Sequence, residues 1–151
     1  MQKLYDTVRA TGANNLVVIG GLGWSFDLSG VTSHAVNGTN ILYATHPYQT
    51  DSQGMWTASF GSLSAKYPII ATEFGDRSAS CTPSYASNFM AYANKKAANG
   101  DNPSNELSWT AWAFYAPSSP AQQCTFPTLL MDWYTPNAVG NAVQAALMAG
   151  P

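Results

Sequence analysis

Apolar residues in this chain fall into short continuous runs separated by stretches in which they recur every third or fourth position. Leu16-Val17-Val18-Ile19, Ile41-Leu42-Tyr43-Ala44-Thr45, Ile69-Ile70-Ala71-Thr72 and Ser108-Trp109-Thr110-Ala111-Trp112-Ala113-Phe114-Tyr115 are rich in β-branched and aromatic residues, as buried parallel strands are. Helical spacing appears four times. It joins Leu4, Tyr5 and Val8 in residues 2–12, closed by Gly12; Trp56, Phe60 and Leu63; Phe89, Met90 and Ala93 in residues 85–98, stopped by Gly100; and Val139, Val143 and Leu147 in residues 137–148. Residues 23–39 read as loop, and 99–105 as a polar turn. Strands thus alternate with helices, and the connections are long enough for right-handed parallel crossovers. The expectation is an α/β fold, one domain over residues 1–151, with a parallel sheet.

The third run ends on Glu73, between Pro68 and Gly75. The carboxyl ends of parallel strands are where α/β folds place their chemistry. The only other glutamate, Glu106, precedes the fourth run and is expected at the opposite end of the sheet. The other exits carry Trp24, Phe26 and Asp27 after the first run and His46-Pro47-Tyr48 after the second. Alternation along the fourth puts Trp109 with Ala111, toward the core or the helices, and Trp112 on the other face.

Charge narrows the partners. Only 9% of residues are charged, the net charge is -2, and the six Lys and Arg form no basic cluster, which argues against nucleic acid and anionic membranes. The polar surface is Ser, Thr, Asn, Gln and Gly, with five Trp and eight Tyr. Rings for C–H faces and amides for hydroxyls suit neutral sugars. No Gly-rich phosphate loop follows the first strand, no cluster has metal-ligand spacing, and no run is long enough to span a bilayer; no cofactor and no metal are expected. Cys81 and Cys124 lie in Ser- and Pro-rich loops, either as a disulfide in an oxidising compartment or as two free thiols. The first residues lack a charged segment followed by an apolar one, so no secretory signal is expected in this chain.

Together Asn40 to Tyr48 (NILYATHPY), Pro68 to Gly75 (PIIATEFG) and Ser108 to Tyr115 (SWTAWAFY) resemble the second half of the glycoside hydrolase family 5 cellulases. In that family a His-x-Tyr follows strand six, the nucleophilic Glu ends strand seven and a Trp ends strand eight. Leu4 to Asn15 (LYDTVRATGANN) is similar to the family's fourth helix and its entry into strand five. The resemblance implies a half TIM barrel, four parallel βα units corresponding to strands five to eight. It implies that Glu73 attacks the anomeric carbon and forms a glycosyl-enzyme intermediate. Tyr48 would then hydrogen-bond the Glu73 carboxylate, keeping it ionised and oriented, while His46 contacts substrate or the other catalytic carboxylate. Trp112 would lie under the sugar, and Trp24 is a further platform or a packing residue. The implied activity is hydrolysis of β-glycosidic bonds in β-linked oligo- or polysaccharides; the composition, with the candidate Cys81–Cys124 bridge, points to an extracellular or periplasmic setting. The alternative is a non-catalytic carbohydrate-binding or structural half-barrel remnant.

Two consequences follow from the family's pattern. Its general acid/base, a Glu in an Asn-Glu-Pro motif after strand four, has no counterpart in this sequence, and retaining hydrolysis needs two carboxyls roughly 5 to 5.5 Å apart. Asp27, Asp51, Asp76 and the partner's Glu73 are the candidate donors, and retention and inversion both stay open. Four barrel strands also leave two unpaired edges and an apolar concave face. The expectation is a homodimer that closes one eight-stranded barrel, the strand from Leu16 pairing with the partner's strand from Ser108.

Overall fold

A computed structural model describes residues 1–77, 82–119, 122 and 127–150. Four strands, β1 (Val17–Gly20), β2 (Ile41–Thr45), β3 (Ile69–Ala71) and β4 (Ser108–Trp109), lie side by side in chain order. Every pair is parallel. In register, Ile19 lies opposite Tyr43, Tyr43 opposite Ile69, and Ala71 opposite Trp109. These residues form the face that packs on the helices. The alternate positions Val18, Leu42 and Ile70 turn to the other face, where Val18 is 49% exposed and the other two are half-buried.

Helices lie before, between and after the strands; those expected over 2–12 and 85–98 are shorter than the periodicity predicts, and residues 23–39, read as loop, contain or border two one-turn helical segments. The helices are α1 (Gln2–Ala10), the one-turn segments α2 (Leu22–Ser25) and α3 (Val31–His34), α4 (Trp56–Ser59), α5 (Ser84–Ala93) and α6 (Ala138–Ala149). Asn137 caps α6, its side chain accepting from the Gly140 N–H at 2.9 Å. Between sheet and helices the core is largely aromatic. The Trp56 ring meets Tyr85, Phe89 and Tyr92 edge-on with centroids 5.1 to 5.4 Å apart, and Phe74 lies 4.7 Å from Phe89. Each such pair adds about 0.5–1.5 kcal/mol beyond its buried area.

Three expectations change. The connection before β3 is a broken helix, with 3-10 turns at Gln53–Met55 and Gly61–Ala65 around α4. The break falls where Tyr92 packs, since a Cβ on Gly61 would collide with the Tyr92 hydroxyl. The fourth run is strand only over Ser108–Trp109, because beyond it the backbone changes partners: Thr110 N–H donates to Ala71, Trp112 N–H to Phe74, and Ala113 N–H to Pro127. The Trp112–Ala113 peptide is cis. Finally, Leu4, Val8 and Leu147 are exposed, although their spacing predicts packed positions. They sit on α1 and α6, next to β1 and β4, and each of those strands has a partner on one side only. Cys81 and Cys124 lie outside the described residues.

Candidate active site

The exits of β2 and β3 meet around Glu73. Beyond the last ladder pair, Tyr48 bridges to Gly75 in parallel register, so the two chains leave the sheet side by side. The Tyr48 hydroxyl therefore donates to Glu73 Oε2 at 2.9 Å. His46 stands beside them, its Nδ1 3.9 Å from the same oxygen and its Nε2 2.8 Å from the Thr72 hydroxyl. Burial, and then the hydrogen bond to Glu73 and its negative charge, push the Tyr48 phenol well above its ordinary range. Tyr48 thus stays a donor to the carboxylate.

Gly75 makes this proximity possible. A Cβ there would lie 2.8 Å from the Trp112 carbonyl oxygen and 3.0 Å from Pro127, so the bare glycine lets the chain after β4 close over the β3 exit. Trp112 is fixed by its own N–H, which donates to the Phe74 carbonyl at 2.9 Å. The indole is 40% exposed and lines a cleft of about 720 Å³ with Thr72, Thr110, Tyr115 and Gln122. Glu73, His46 and Tyr48 line a neighbouring cleft of about 700 Å³ with Trp24, Asp51 and Arg77. The two clefts adjoin at consecutive residues, Thr72 in one and Glu73 in the other.

Trp24 is 97% exposed at the rim of the Glu73 cleft. Its backbone is left-handed (φ 56°), as is that of Ser25 (φ 67°), a conformation non-glycine residues adopt at a cost and chiefly where surrounding contacts impose it. Here the Ser25 carbonyl accepts from the His46 N–H at 3.1 Å. The loop that presents Trp24 is thereby tied to the β2 exit.

The three aspartates have different surroundings. Asp51 lines the Glu73 cleft and accepts the Tyr48 N–H at 3.2 Å. Asp27 accepts the Ser29 N–H at 2.8 Å and faces a separate small cleft beside β1. Asp76 is buried and accepts three donors: the N–H groups of Tyr85 (3.1 Å) and Ala86 (2.8 Å) at the start of α5, and the Gln49 side-chain amide (3.0 Å). Burial raises its pKa against the pull of those hydrogen bonds. Asp76 is thus a cap for α5 supplied from eight residues upstream, and is poorly placed to donate a proton to a substrate. Glu106 lines a cleft with Asn94, Ser108 and Leu147, at the entrance of β4 and away from Glu73. Trp109 points to the helices, its indole N–H donating to Asn94 at 3.1 Å.

Sequence reasoning missed Thr72, Gln49 and Arg77. Nothing in a Thr one residue before a glutamate signals that its hydroxyl meets a histidine from another strand. Gln49 receives no weight from pattern, yet its amide bridges Asp76 and the Arg77 N–H. Among the described residues, no group of three or more His, Cys, Asp and Glu is placed to hold a metal ion.

Residues 1–118 match the family model of the cellulases (glycosyl hydrolase family 5), and the chain belongs to this family. It is 29% identical over 85 residues to endoglucanase CelA of Streptomyces lividans, an alignment covering 52% of this chain and 18% of CelA. Among solved structures it resembles a β-glucanase from Saccharophagus degradans in complex with cellotetraose, with a TM-score of 0.77 and 25% identity over 98% of this chain and 46% of that one. An endocellulase from Pyrococcus horikoshii in complex with cellotetraose shares the fold, with a TM-score of 0.73 and 14% identity over 97% of this chain and 47% of that one. The chain thus spans about half the length of these structures.

Proposed function

We propose that this chain carries the nucleophile side of a glycoside hydrolase site that cleaves β-linked glucans. The observation that carries the reading is the 2.9 Å hydrogen bond from Tyr48 to Glu73 Oε2 at the exit of β3. It aims one carboxylate oxygen and leaves Oε1 to attack the anomeric carbon, with formation of a glycosyl-enzyme intermediate. Trp112 and Trp24 offer ring faces on either side. Relatives solved with cellotetraose support a β-linked glucose chain as the substrate class. The low charge and the sugar-suited surface support an extracellular or periplasmic setting.

Among this chain's own carboxyl groups Asp51 shares the Glu73 cleft and is the better internal candidate for the proton donor. A second copy of the chain would bring the partner's Glu73 to the same opening if two sheets close one barrel through β1 and β4. The unsatisfied outer edges of those strands and the apolar face at Val18, Leu42 and Ile70 support that assembly. Analytical ultracentrifugation tests it: a well-folded monomer at micromolar concentration overturns the dimer.

The function is tested with an aryl β-cellobioside, whose good leaving group needs little acid assistance, assayed beside Glu73→Gln. Turnover that vanishes in the variant is expected; turnover that survives removes Glu73 from the mechanism. A second reading, sugar binding without hydrolysis, draws on the pairing of two exposed indoles with a single glutamate. Oligosaccharide binding by a folded sample that turns over no aryl glycoside selects it.

A further inference from the structure

An aromatic row leaves the Trp112 cleft and continues onto a feature that the catalytic reading does not use. Tyr115 lines the cleft with Trp112 and Gln122. Its ring meets Trp133 edge-on, with centroids 6.3 Å apart and planes at 80°. Trp133 is 63% exposed, and the neighbouring Tyr134 ring is 96% exposed.

The segment carrying them is built to hold its shape. Leu130 bridges Pro136, and the Met131 N–H donates to the Thr135 carbonyl at 2.8 Å. Within the turn the Asp132 carboxylate accepts the N–H groups of Tyr134 and Thr135, both at 2.8 Å. Those hydrogen bonds hold the Asp132 carboxyl below its ordinary pKa. A large exposed ring on a locked turn loses little conformational freedom when something stacks on it.

We propose that Trp133, braced by Tyr115, is a remote stacking subsite for β-linked gluco-oligosaccharides too long for the Trp112 cleft alone. The inference rests on the functional reading above. It commits to a sugar chain because the row is continuous with the Trp112 cleft, which adjoins Glu73 and is bordered by the Gln122 side chain. Rings suit the apolar C–H faces of sugars, and a protein contact on the same rings is separated by the length dependence tested below.

The test is calorimetric binding of cellotriose and cellohexaose to the Glu73→Gln chain, which holds ligand without turnover, with Trp133→Ala and Trp133→Tyr added in turn. Trp133→Ala is expected to weaken cellohexaose about tenfold, or about 1.4 kcal/mol, while cellotriose changes less than twofold. Trp133→Tyr should retain most of the cellohexaose affinity. Equal weakening of both sugars, or of neither, overturns the subsite. So does a change in sedimentation of Trp133→Ala without length dependence, which would mark this face as a protein contact. If neither sugar binds the parent, the functional reading fails and the subsite with it.

Discussion

The Tyr48 phenol reaches Glu73 because the two strand exits stay side by side beyond the sheet while their pairing slips by one residue, from Thr45 opposite Ala71 to Tyr48 opposite Gly75. Its hydrogen bond is charge-assisted, a class worth roughly 1.5–3 kcal/mol. If that alignment is realised at the transition state, Tyr48→Phe should lower kcat on an aryl β-cellobioside by about ten- to a hundredfold, with circular dichroism unchanged. A loss confined to KM would mean that Tyr48 binds sugar and does not position the nucleophile. His46 gives a second prediction at this scale. With Nδ1 facing a carboxylate oxygen and Nε2 against the Thr72 hydroxyl, the favourable arrangement has the proton on Nδ1 and Thr72 donating to Nε2. The only other histidine is His34, so long-range proton–nitrogen NMR correlations resolve the two rings. Thr72→Val should shift His46 toward the other tautomer, and an unchanged pattern would remove Thr72 from the arrangement. His46, expected against substrate or the other catalytic carboxylate, stands 3.9 Å from Glu73 itself, while the pairing of Tyr48 with Glu73 was legible in the sequence because both stand at strand exits in a family pattern. Thr72 and Gln49 were not, since a hydroxyl or amide that works through tertiary contact leaves no periodic or motif signal.

At the scale of elements, the parallel strands and the aromatic helix faces were readable, because burial imposes a period that survives in the sequence. Boundaries were less so. The end of β4 is set by a change of backbone partners, with Ala113 pairing to Pro127 instead of β3, and apolar composition through Tyr115 hides it. The cap of α5 was likewise invisible, lying in Asp76 and not in the residues next to the helix. Replacing Asp76 by Ala leaves the Tyr85 and Ala86 N–H groups unpaired, and should lower stability to chemical denaturation by about 1–2 kcal/mol. It also frees Gln49, so the midpoint shift should come with weaker binding of β-linked oligosaccharide. Stability lost without any effect on binding would confine Asp76 to α5. Gly75→Ala acts at the same junction. Its methyl group would press on the Trp112 carbonyl at 2.8 Å, and the shift should show as altered near-ultraviolet circular dichroism and lost turnover while far-ultraviolet spectra hold.

For the molecule as a whole, three phenols, two buried and one half-buried, set an alkaline limit. Burial is the leading cause for Tyr48, Tyr85 and Tyr92, raising all three above the ordinary value of 10.0, with Tyr92 at about 12. Below pH 10 both folded and unfolded chains keep these protons and the difference contributes fully to stability. As pH rises past 10 the unfolded chain releases them while the folded chain does not, so stability falls steadily until the folded phenols titrate. Tyrosinate absorbance should therefore rise in two stages, the second coinciding with unfolding; a single smooth titration near pH 10 would contradict this burial.

Among the described residues, the aromatic core packs between the helices and one face of the sheet, and on the opposite face Val18, Leu42 and Ile70 remain accessible. If two copies close one barrel as proposed, the flanking strands are the ladders through which they meet, and the cleft around Glu73 is then completed only by a second chain. Turnover per chain should in that case rise with protein concentration, and a flat profile would detach the site from any assembly.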